Sequence, residues 1–268
     1  MNGNTEQGMF AEERKNRIIE FINVNEKATV SQLCEKFDVS RATIRNDLNE
    51  LDEKGLLKRT HGGAISTHSV NYEMNIVDRK IQLLQEKEAI AKQAVTYIRE
   101  GECIGLDAGT TTLELAKLLT GFSHLTIVTY DLNIAAWLDS NTEHTVILAG
   151  GEIRKRFHYM TGEAALRTLQ NLYLDVLFLG GNGVDAQRGL TTPNLDTARM
   201  KRCLIGNSKH KILLADHSKI GNVSFTKYAD VSEIDVFITD AGADQKSLRA
   251  IGDKDVEVVI VEPEQQGS

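Results

Sequence analysis

Up to Ile65 the apolar positions recur at helical spacing in three short stretches. Glu12 to Val24 carries Ile18, Ile19 and Ile22, and Thr29 to Phe37 places Val30, Leu33 and Phe37 on one stripe. Ser40 then serves as an N-cap for "SRATIRNDLNELDEKGLL", in which Ile44, Leu48 and Leu51 are spaced i, i+4, i+7 and Gly55 follows as the C-cap. "LLKRTHGGAI" reads as two short strands around His61-Gly62-Gly63. The pattern then loosens. Ser66 to Met74 is polar and irregular, and Asp78 to Arg99 is helical, with Ile81, Leu84, Ile90, Ala94 and Ile98 as a partial stripe. Beyond it "CIGLD", "LTIVT", "TVILAG", "DVLFLGG", "KILLAD", "DVFITD" and "VEVVIV" alternate with helix-length segments. Short β-branched runs separated in this way predict an α/β sheet with substantial parallel character.

These patterns divide the 268 residues into a small helical domain over 9–66, a linker and the start of a connecting helix over 67–85, and a larger α/β domain over 86–262. Met1 to Gly8 is polar, which makes Met9 an alternative start. Composition adds little: 41% apolar residues and two prolines describe a globular chain, and a net charge of −7 gives no hint of a nucleic-acid or membrane partner. No apolar run reaches the length of a membrane span and no signal-peptide pattern opens the chain, so a soluble, cytoplasmic protein is expected. Cys34, Cys103 and Cys203 are odd in number and far apart, and read as buried reduced thiols. His158, His210 and His217 lack metal-ligand spacing and read as solvent-facing or structural. No metal and no cofactor is expected.

The third helix is where a partner first becomes visible. With Ile44, Leu48 and Leu51 facing inward, Ala42, Asn46 and Asn49 lie opposite, with Arg41, Thr43 and Arg45 at the margins. Small residues, an amide and two guanidinium groups suit a helix that enters a major groove. Lys58-Arg59 on the hairpin would meet the adjacent phosphates. A plain protein-interaction module remains open, since residues 1–70 hold 10 basic against 11 acidic side chains. Asp47, Glu50 and Asp52 lie further along the helix, away from its groove-entering end.

A second candidate site opens the α/β domain. Asp107 ends the first strand, and Gly109-Thr110-Thr111-Thr112 begins a helix. Glycine permits close backbone approach, while free amides, the helix dipole and threonine hydroxyls favour an anion. A threonine-capped helix without a ligand is the alternative. No Gly-Lys-Ser/Thr follows and no GxGxxG is present, so the loop is of neither nucleotide-binding type. Further strand ends carry Gly150-Gly151 with Arg154, Gly180-Gly181-Asn182-Gly183 with Asp185, Asp216-His217-Ser218-Lys219, and Asp240. Ligands of such sheets sit at the carboxyl ends of strands.

"TVSQLCEKFDVSRATIRNDLNELDEKGLLKRTHGGAI" resembles the N-terminal winged helix-turn-helix of the DeoR family of bacterial sugar-catabolism regulators. Ser40, Thr43-Ile44-Arg45, Asp47-Leu48, Leu51, Gly55 and Arg59 through Ala64 fall on its signature; Asn46 departs from it, where a second basic residue is usual. The resemblance implies binding to double-stranded operator DNA through Ser40, Arg41, Thr43, Arg45, Asn46, Lys58, Arg59 and His61. "DAGTTT", "LAGGEIR", "LGGNGVD" and "LLADHSKIG" resemble the family's sensor domain, which is similar in fold to ribose-5-phosphate isomerase. By that likeness Asp107, Gly109, Thr110, Thr111 and Thr112 bind the phosphate end of a sugar-phosphate effector. Asn182, Asp185 and Lys219 line the sugar part, with Gly151 and Arg154 completing the set. Two positions depart again: Thr197 stands where the family commonly has a Glu, and Tyr130 where it usually has Asn. "GLTTPNLDTA" most resembles members that control amino-sugar and hexitol operons. The expectation is therefore a homo-oligomeric repressor, dimer or tetramer, relieved by a phosphorylated sugar. Two readings stay open beside it: a sugar-phosphate isomerase with an accessory DNA-binding domain, and a DNA-binding protein with a vestigial pocket. Isomerisation needs a placed base, which the loss of an acid at Thr197 disfavours.

Overall fold

The computed structural model describes residues 11–25, 27–53, 56–60, 62–66, 73 and 76–263. The chain divides into two compact units, Met1–Tyr72 and Glu73–Ser268. Met9, Gly55 and His61 lie outside the described residues.

The first unit runs α1 (Ala11–Asn25), β1 (Lys27–Thr29), α2 (Val30–Phe37), α3 (Arg41–Glu53), β2 (Lys58–Thr60) and β3 (Gly63–Ile65). Local chemistry sets the helix ends. Thr29 Oγ1 accepts from Gln32 N at 3.2 Å while Gln32 Oε1 accepts from Thr29 N at 2.8 Å, a capping box that starts α2. Asp38 ends it in the left-handed region, and Ser40 Oγ accepts from Thr43 N at 3.1 Å to start α3. Ile18, Ile22, Leu33, Ile44, Leu48 and Leu51 form the core, as the stripes require. The hairpin has a third strand, because β3 pairs antiparallel with both β1 and β2. Three residues with one buried side chain, Ala28, are too short for periodicity to reveal β1.

The second unit starts with α4 (Ile76–Ile81) and α5 (Leu84–Ala94). The continuous helix expected over 78–99 is thus two helices, broken where Leu83 takes φ 52°, ψ 43°. Lys87 supplies the reason: its Nζ donates to Arg79 O at 2.5 Å and to Gln82 O, satisfying carbonyls that end α4. Ile81, expected on the stripe, is 76% exposed. Then follow β4 (Cys103–Leu106), α6 (Thr110–Lys117), β5 (Thr126–Thr129), α7 (Leu132–Asn141) and β6 (Thr145–Leu148). A hairpin of β7 (Glu152–Arg154) and β8 (Tyr159–Thr161) leads to α8 (Glu163–Leu169) and β9 (Leu174–Gly180). The remainder is β10 (Gly183–Asp185), β11 (Gly189–Thr192), α9 (Leu195–Gly206), β12 (Ser208–Leu214), β13 (Thr226–Ala229), β14 (Val236–Asp240), α10 (Gln245–Gly252) and β15 (Glu257–Val261).

The seven apolar runs become one sheet in the order β15-β14-β12-β9-β4-β5-β6, every neighbour parallel. Residues of α5, α6 and α7, among them Ile90, Leu115 and Ile134, cover one face. Those of α8, α9 and α10, among them Leu169, Leu204 and Leu248, cover the other. Counting only these strands, the order reverses between β4 and β9, the place where such sheets bind ligands. Among the described residues of this unit, the five strands outside the sheet form two small antiparallel sheets, β7-β8 and β10-β11-β13. Cys34, Cys103 and Cys203 are unpaired but only half-buried, which corrects the expectation of buried thiols. Neighbouring Leu33, Ile104 and Leu204 take the inward positions instead.

Candidate functional site

On α3 the exposed side chains near the start are Arg41, Ala42, Arg45 and Asn46, with Thr43 half-buried and bonded to Ser40. Arg41 reaches Ser31 Oγ at 3.4 Å, whereas Arg45 and Asn46 make no side-chain hydrogen bond or ion pair among the described residues. Three of the four acids that follow on α3 are paired, and Glu53 at its end is exposed. Asp47 is buried and takes two hydrogen bonds from the Arg14 guanidinium, at 2.6 and 3.2 Å. Glu50 accepts from Lys15 Nζ at 2.6 Å. Asp52 accepts from Arg59 N at 3.2 Å and lies 3.4 Å from Lys58 Nζ. The hairpin cations are therefore partly committed to α3, since the Arg59 guanidinium also donates to Asn49 Oδ1. What remains uncommitted at the leading edge of α3 is the Arg45 guanidinium and the Asn46 amide, beside Arg41, whose one bond is the long contact to Ser31.

In the second unit a narrow cleft, with a cavity volume of about 20 Å³, opens at the reversal point of the sheet. It is lined by Gly109, Thr110 and Thr111 at the start of α6, Gly180-Gly181 at the end of β9, and Leu214, Ala215 and Asp216 at the end of β12. Arg79, Lys87 and Lys219 surround it, so three cations face one acid. A Cβ placed on Gly109 would stand 3.9 Å from Arg79 Nη2, which measures how near the guanidinium comes to the helix mouth. The amides of the first helical turn have no intrahelical acceptor, and the helix dipole adds to the positive field. Thr112 plays a different part from Thr110 and Thr111. Its hydroxyl donates to Asp107 O at 2.7 Å and lies 3.0 Å from Gly109 O, holding the loop rather than facing the cleft.

Burial pushes the Lys87 ammonium down to about 8, with Lys219 and Arg79 adding and Asp216 opposing. Burial and Arg79 likewise lower Lys219 against the pull of Asp216. Burial alone would raise Asp216, but Lys219, Ser218 and Lys87 outweigh it and hold its carboxyl below the usual range. The lining therefore carries a net positive charge, three cations against one carboxylate.

Asp107 lies beneath the cleft and is fully buried. Its Oδ2 accepts from Gly180 N at 2.8 Å and from Lys201 Nζ, and its Oδ1 accepts from the Tyr130 hydroxyl. Lys201, 2% exposed, also donates to Gly180 O at 2.8 Å. Burial, then the Asp107 charge, raises the Tyr130 hydroxyl well above its ordinary value, so it remains a donor. The pair ties β4 to β9 across the reversal point. The other expected residues sit elsewhere. Asn182 accepts from Thr192 Oγ1 at 3.1 Å, and Asp185 accepts from Gln187 N and Arg188 N in the β10–β11 turn. Gly151 allows close approach of the hairpin, since a Cβ there would lie 2.3 Å from Thr161 O. Arg154 binds Glu73 and the Tyr159 hydroxyl, while Thr197 bonds Tyr159 and Asn194.

The model of the DeoR-like helix-turn-helix domain matches residues 14–70, and that of the DeoR C terminal sensor domain matches residues 82–241. The chain belongs to the DeoR family. As a DeoR-family protein it is a DNA-binding transcriptional regulator with a sensor domain, and the isomerase reading is not favoured. It is 39% identical over 251 residues to the HTH-type transcriptional regulator GlpR of Haloferax volcanii, covering 94% of this chain and 98% of that one. It is 37% identical over 249 residues to the glycerol-3-phosphate regulon repressor of Escherichia coli K12, covering 92% and 98%. A D-ribose-5-phosphate isomerase in complex with phospho-erythronic acid is similar over 55% of each chain, at 20% identity and a TM-score of 0.38.

Sequence reasoning missed Arg79, Lys87 and Lys201 in this DeoR-family sensor. Arg79 and Lys87 are ordinary cations on helices ahead of the sheet, and nothing in their spacing marks them. Lys201 had a signal: a lysine between Met200 and Leu204 on an otherwise inward stripe, which burial must pair with an acid.

Proposed function

We propose that this regulator is a homo-oligomeric repressor relieved by a small phosphorylated sugar or polyol held between Gly109–Thr111 and the cations Arg79, Lys87 and Lys219. The observation that carries the reading is the three-cation cleft at a helix N-terminus, placed at the reversal point of a parallel sheet. One relative is named for a glycerol-3-phosphate regulon, which supports a phosphorylated ligand. Paired copies present two α3 helices to repeated half-sites through Arg41, Arg45 and Asn46.

Thermal melts of the full chain with inorganic phosphate, glycerol phosphate and hexose phosphates test the cleft, and operator titrations with the same panel test the coupling. A ligand that binds only the folded state raises the melting temperature. At least one compound is expected to weaken operator binding, by about 5–150-fold for a coupling of about 1–3 kcal/mol. Lys219→Met is expected to weaken binding of that compound about tenfold, the order of one charge-assisted contact. No response across the panel, or a Lys219→Met chain that responds as wild type, removes this reading.

The cleft also sets a pH dependence. Above about 8 Lys87 loses its proton, and an anion in the cleft favours the protonated form. Binding of inorganic phosphate is therefore expected to take up protons near that pH and to weaken up to about tenfold from about pH 7 to about pH 9. Calorimetry in two buffers of different ionisation enthalpy reads the uptake directly; a flat affinity with no uptake places Lys87 outside the anion's reach. The stability effect runs the other way. Between about 8 and 10.5 the unfolded chain binds more protons at this lysine, so its contribution to stability rises with pH through that window.

A further inference from the structure

Glu73 is the first residue of the second unit, and its side chain is 7% exposed. A carboxylate so enclosed needs partners, and it has two arginines on unequal terms. Arg154 Nη1 donates to Glu73 Oε2 at 2.5 Å. Arg154 is held in turn, donating to the Tyr159 hydroxyl with its guanidinium 4.0 Å from the Phe157 ring centroid. Arg79 Nη1 lies 3.7 Å from Glu73 Oε1, an ion pair too long for a hydrogen bond. The same guanidinium turns Nη2 toward Gly109 at the cleft mouth. Arg79 thus stands between an internal carboxylate and the place where an anion docks.

We infer that Glu73 is an internal counter-anion of Arg79 that the effector's phosphate displaces, so that occupancy of the cleft is registered at the residue from which the chain leaves for the DNA-binding unit. The inference rests on the anion-binding reading of the cleft. A phosphate brings up to two negative charges and three acceptor oxygens to a guanidinium whose ion pair with Glu73 is long. Arg79 does not move alone. Its carbonyl accepts from Lys87 Nζ, another cleft cation, and the first amide of its helix, Ile76 N, donates to Arg156 O on the hairpin that carries Arg154. Glu73, α4 and the hairpin form one linked set, and Arg79 is its contact with the ligand.

Glu73→Gln in the full chain separates this from a plain structural role. The probe is inorganic phosphate, followed by calorimetry, with operator affinity read by anisotropy at matched ionic strength. Wild type is expected to bind phosphate in a manner that Lys219→Met weakens. Glu73→Gln frees Arg79 and is expected to bind it about three- to tenfold more tightly, the order of one partly buried ion pair. The same variant is expected to bind operator more weakly without phosphate, and phosphate is expected to change that affinity less than about twofold, because the displaced state is already present. Glu73→Asp restores part of the response, and Glu163→Gln, an exposed acid on α8, leaves both readings as in wild type. Should Glu73→Gln fail to fold, Arg79→Lys is the second variant, expected to keep phosphate binding and lose the operator response. Phosphate binding with unchanged affinity and unchanged operator response in Glu73→Gln or, for the second variant, a retained response overturns the relay and leaves the cleft standing. Absence of Lys219-dependent phosphate binding in wild type overturns both.

Discussion

Replacing Lys201 with alanine is expected to destabilise the second unit by about 3–5 kcal/mol, because it leaves Asp107 charged and without its cation. For a unit of this size that loss corresponds to a melting temperature lower by about 6–20 °C. Asp107 keeps the Tyr130 hydroxyl and the Gly180 amide, so the effect falls short of stranding the carboxylate completely. The position is what makes it severe. Asp107 ends β4, Gly180 ends β9, and Lys201 on α9 touches both, so one ammonium closes the gap where the strand order reverses. The double variant Asp107→Asn with Lys201→Met removes both charges and is expected to recover part of the loss, since replacing both members of a buried pair costs less than orphaning one. Thermal melts of wild type, both single variants and the double variant complete the cycle. A Lys201→Ala chain that melts within about 2 °C of wild type would mean that the pair holds nothing together.

This pair also shows what the sequence does and does not disclose. The seven strands of the sheet were legible because each is a short β-branched run bounded by a glycine, an acid or a turn, and burial on both faces leaves no other use for such runs. Gly109, Thr110 and Thr111 were legible as a candidate site because the turn that opens α6 is local, written in consecutive residues, whereas Asp107 beside them is turned inward to Lys201. The turn's counter-charges are not local. Arg79 and Lys87 precede the first sheet strand, Lys219 follows the fifth, and only the packing of α4 and α5 brings the first two to the mouth of α6. Thr112 was misread for the opposite reason. Three consecutive threonines look equivalent, yet helical geometry turns the third back onto the Asp107 carbonyl. Asp185 looked like a sugar ligand from its place after a glycine-rich strand end, but an acid two and three residues ahead of two free amides satisfies a turn first.

The departure at Tyr130 now has a physical content. A buried hydroxyl on the Asp107 carboxylate fills space that an asparagine would leave open, and it fixes the carboxylate from the side opposite Lys201. Thr197, the other departure, leaves no acid on the first turn of α9 facing Tyr159; the acid of that network comes instead from Glu73, through Arg154. The reading of the cleft as a detector gains from this. The carboxylates around it are each spoken for, Asp107 by Lys201, Asp216 by Ser218 and Lys219, Glu73 by two arginines. A proton abstraction needs a base left uncommitted.

Arg45→Ala is expected to remove specific operator binding while leaving the melting temperature unchanged. The side chain is exposed on the leading edge of α3 and bonds nothing among the described residues, so its loss creates neither cavity nor orphaned charge. Against base edges one such contact is worth about 1–3 kcal/mol, and the paired copies proposed above would lose it in each half-site, about 2–6 kcal/mol together. Arg14→Ala is the contrast. That guanidinium holds buried Asp47 against α1, so its removal is expected to cost stability first and DNA binding only as a consequence. Anisotropy titrations against operator and unrelated DNA at one salt concentration, together with melts, separate the two. Arg45→Ala should lose discrimination between the two DNAs, with the remaining affinity strongly dependent on salt because phosphate contacts alone persist. Operator binding equal to wild type would show that another face of the helix enters the groove. The pairing of Asp47, Glu50 and Asp52 with Arg14, Lys15 and the hairpin argues against that outcome, since it engages those three acids within the protein while Arg45 stays exposed.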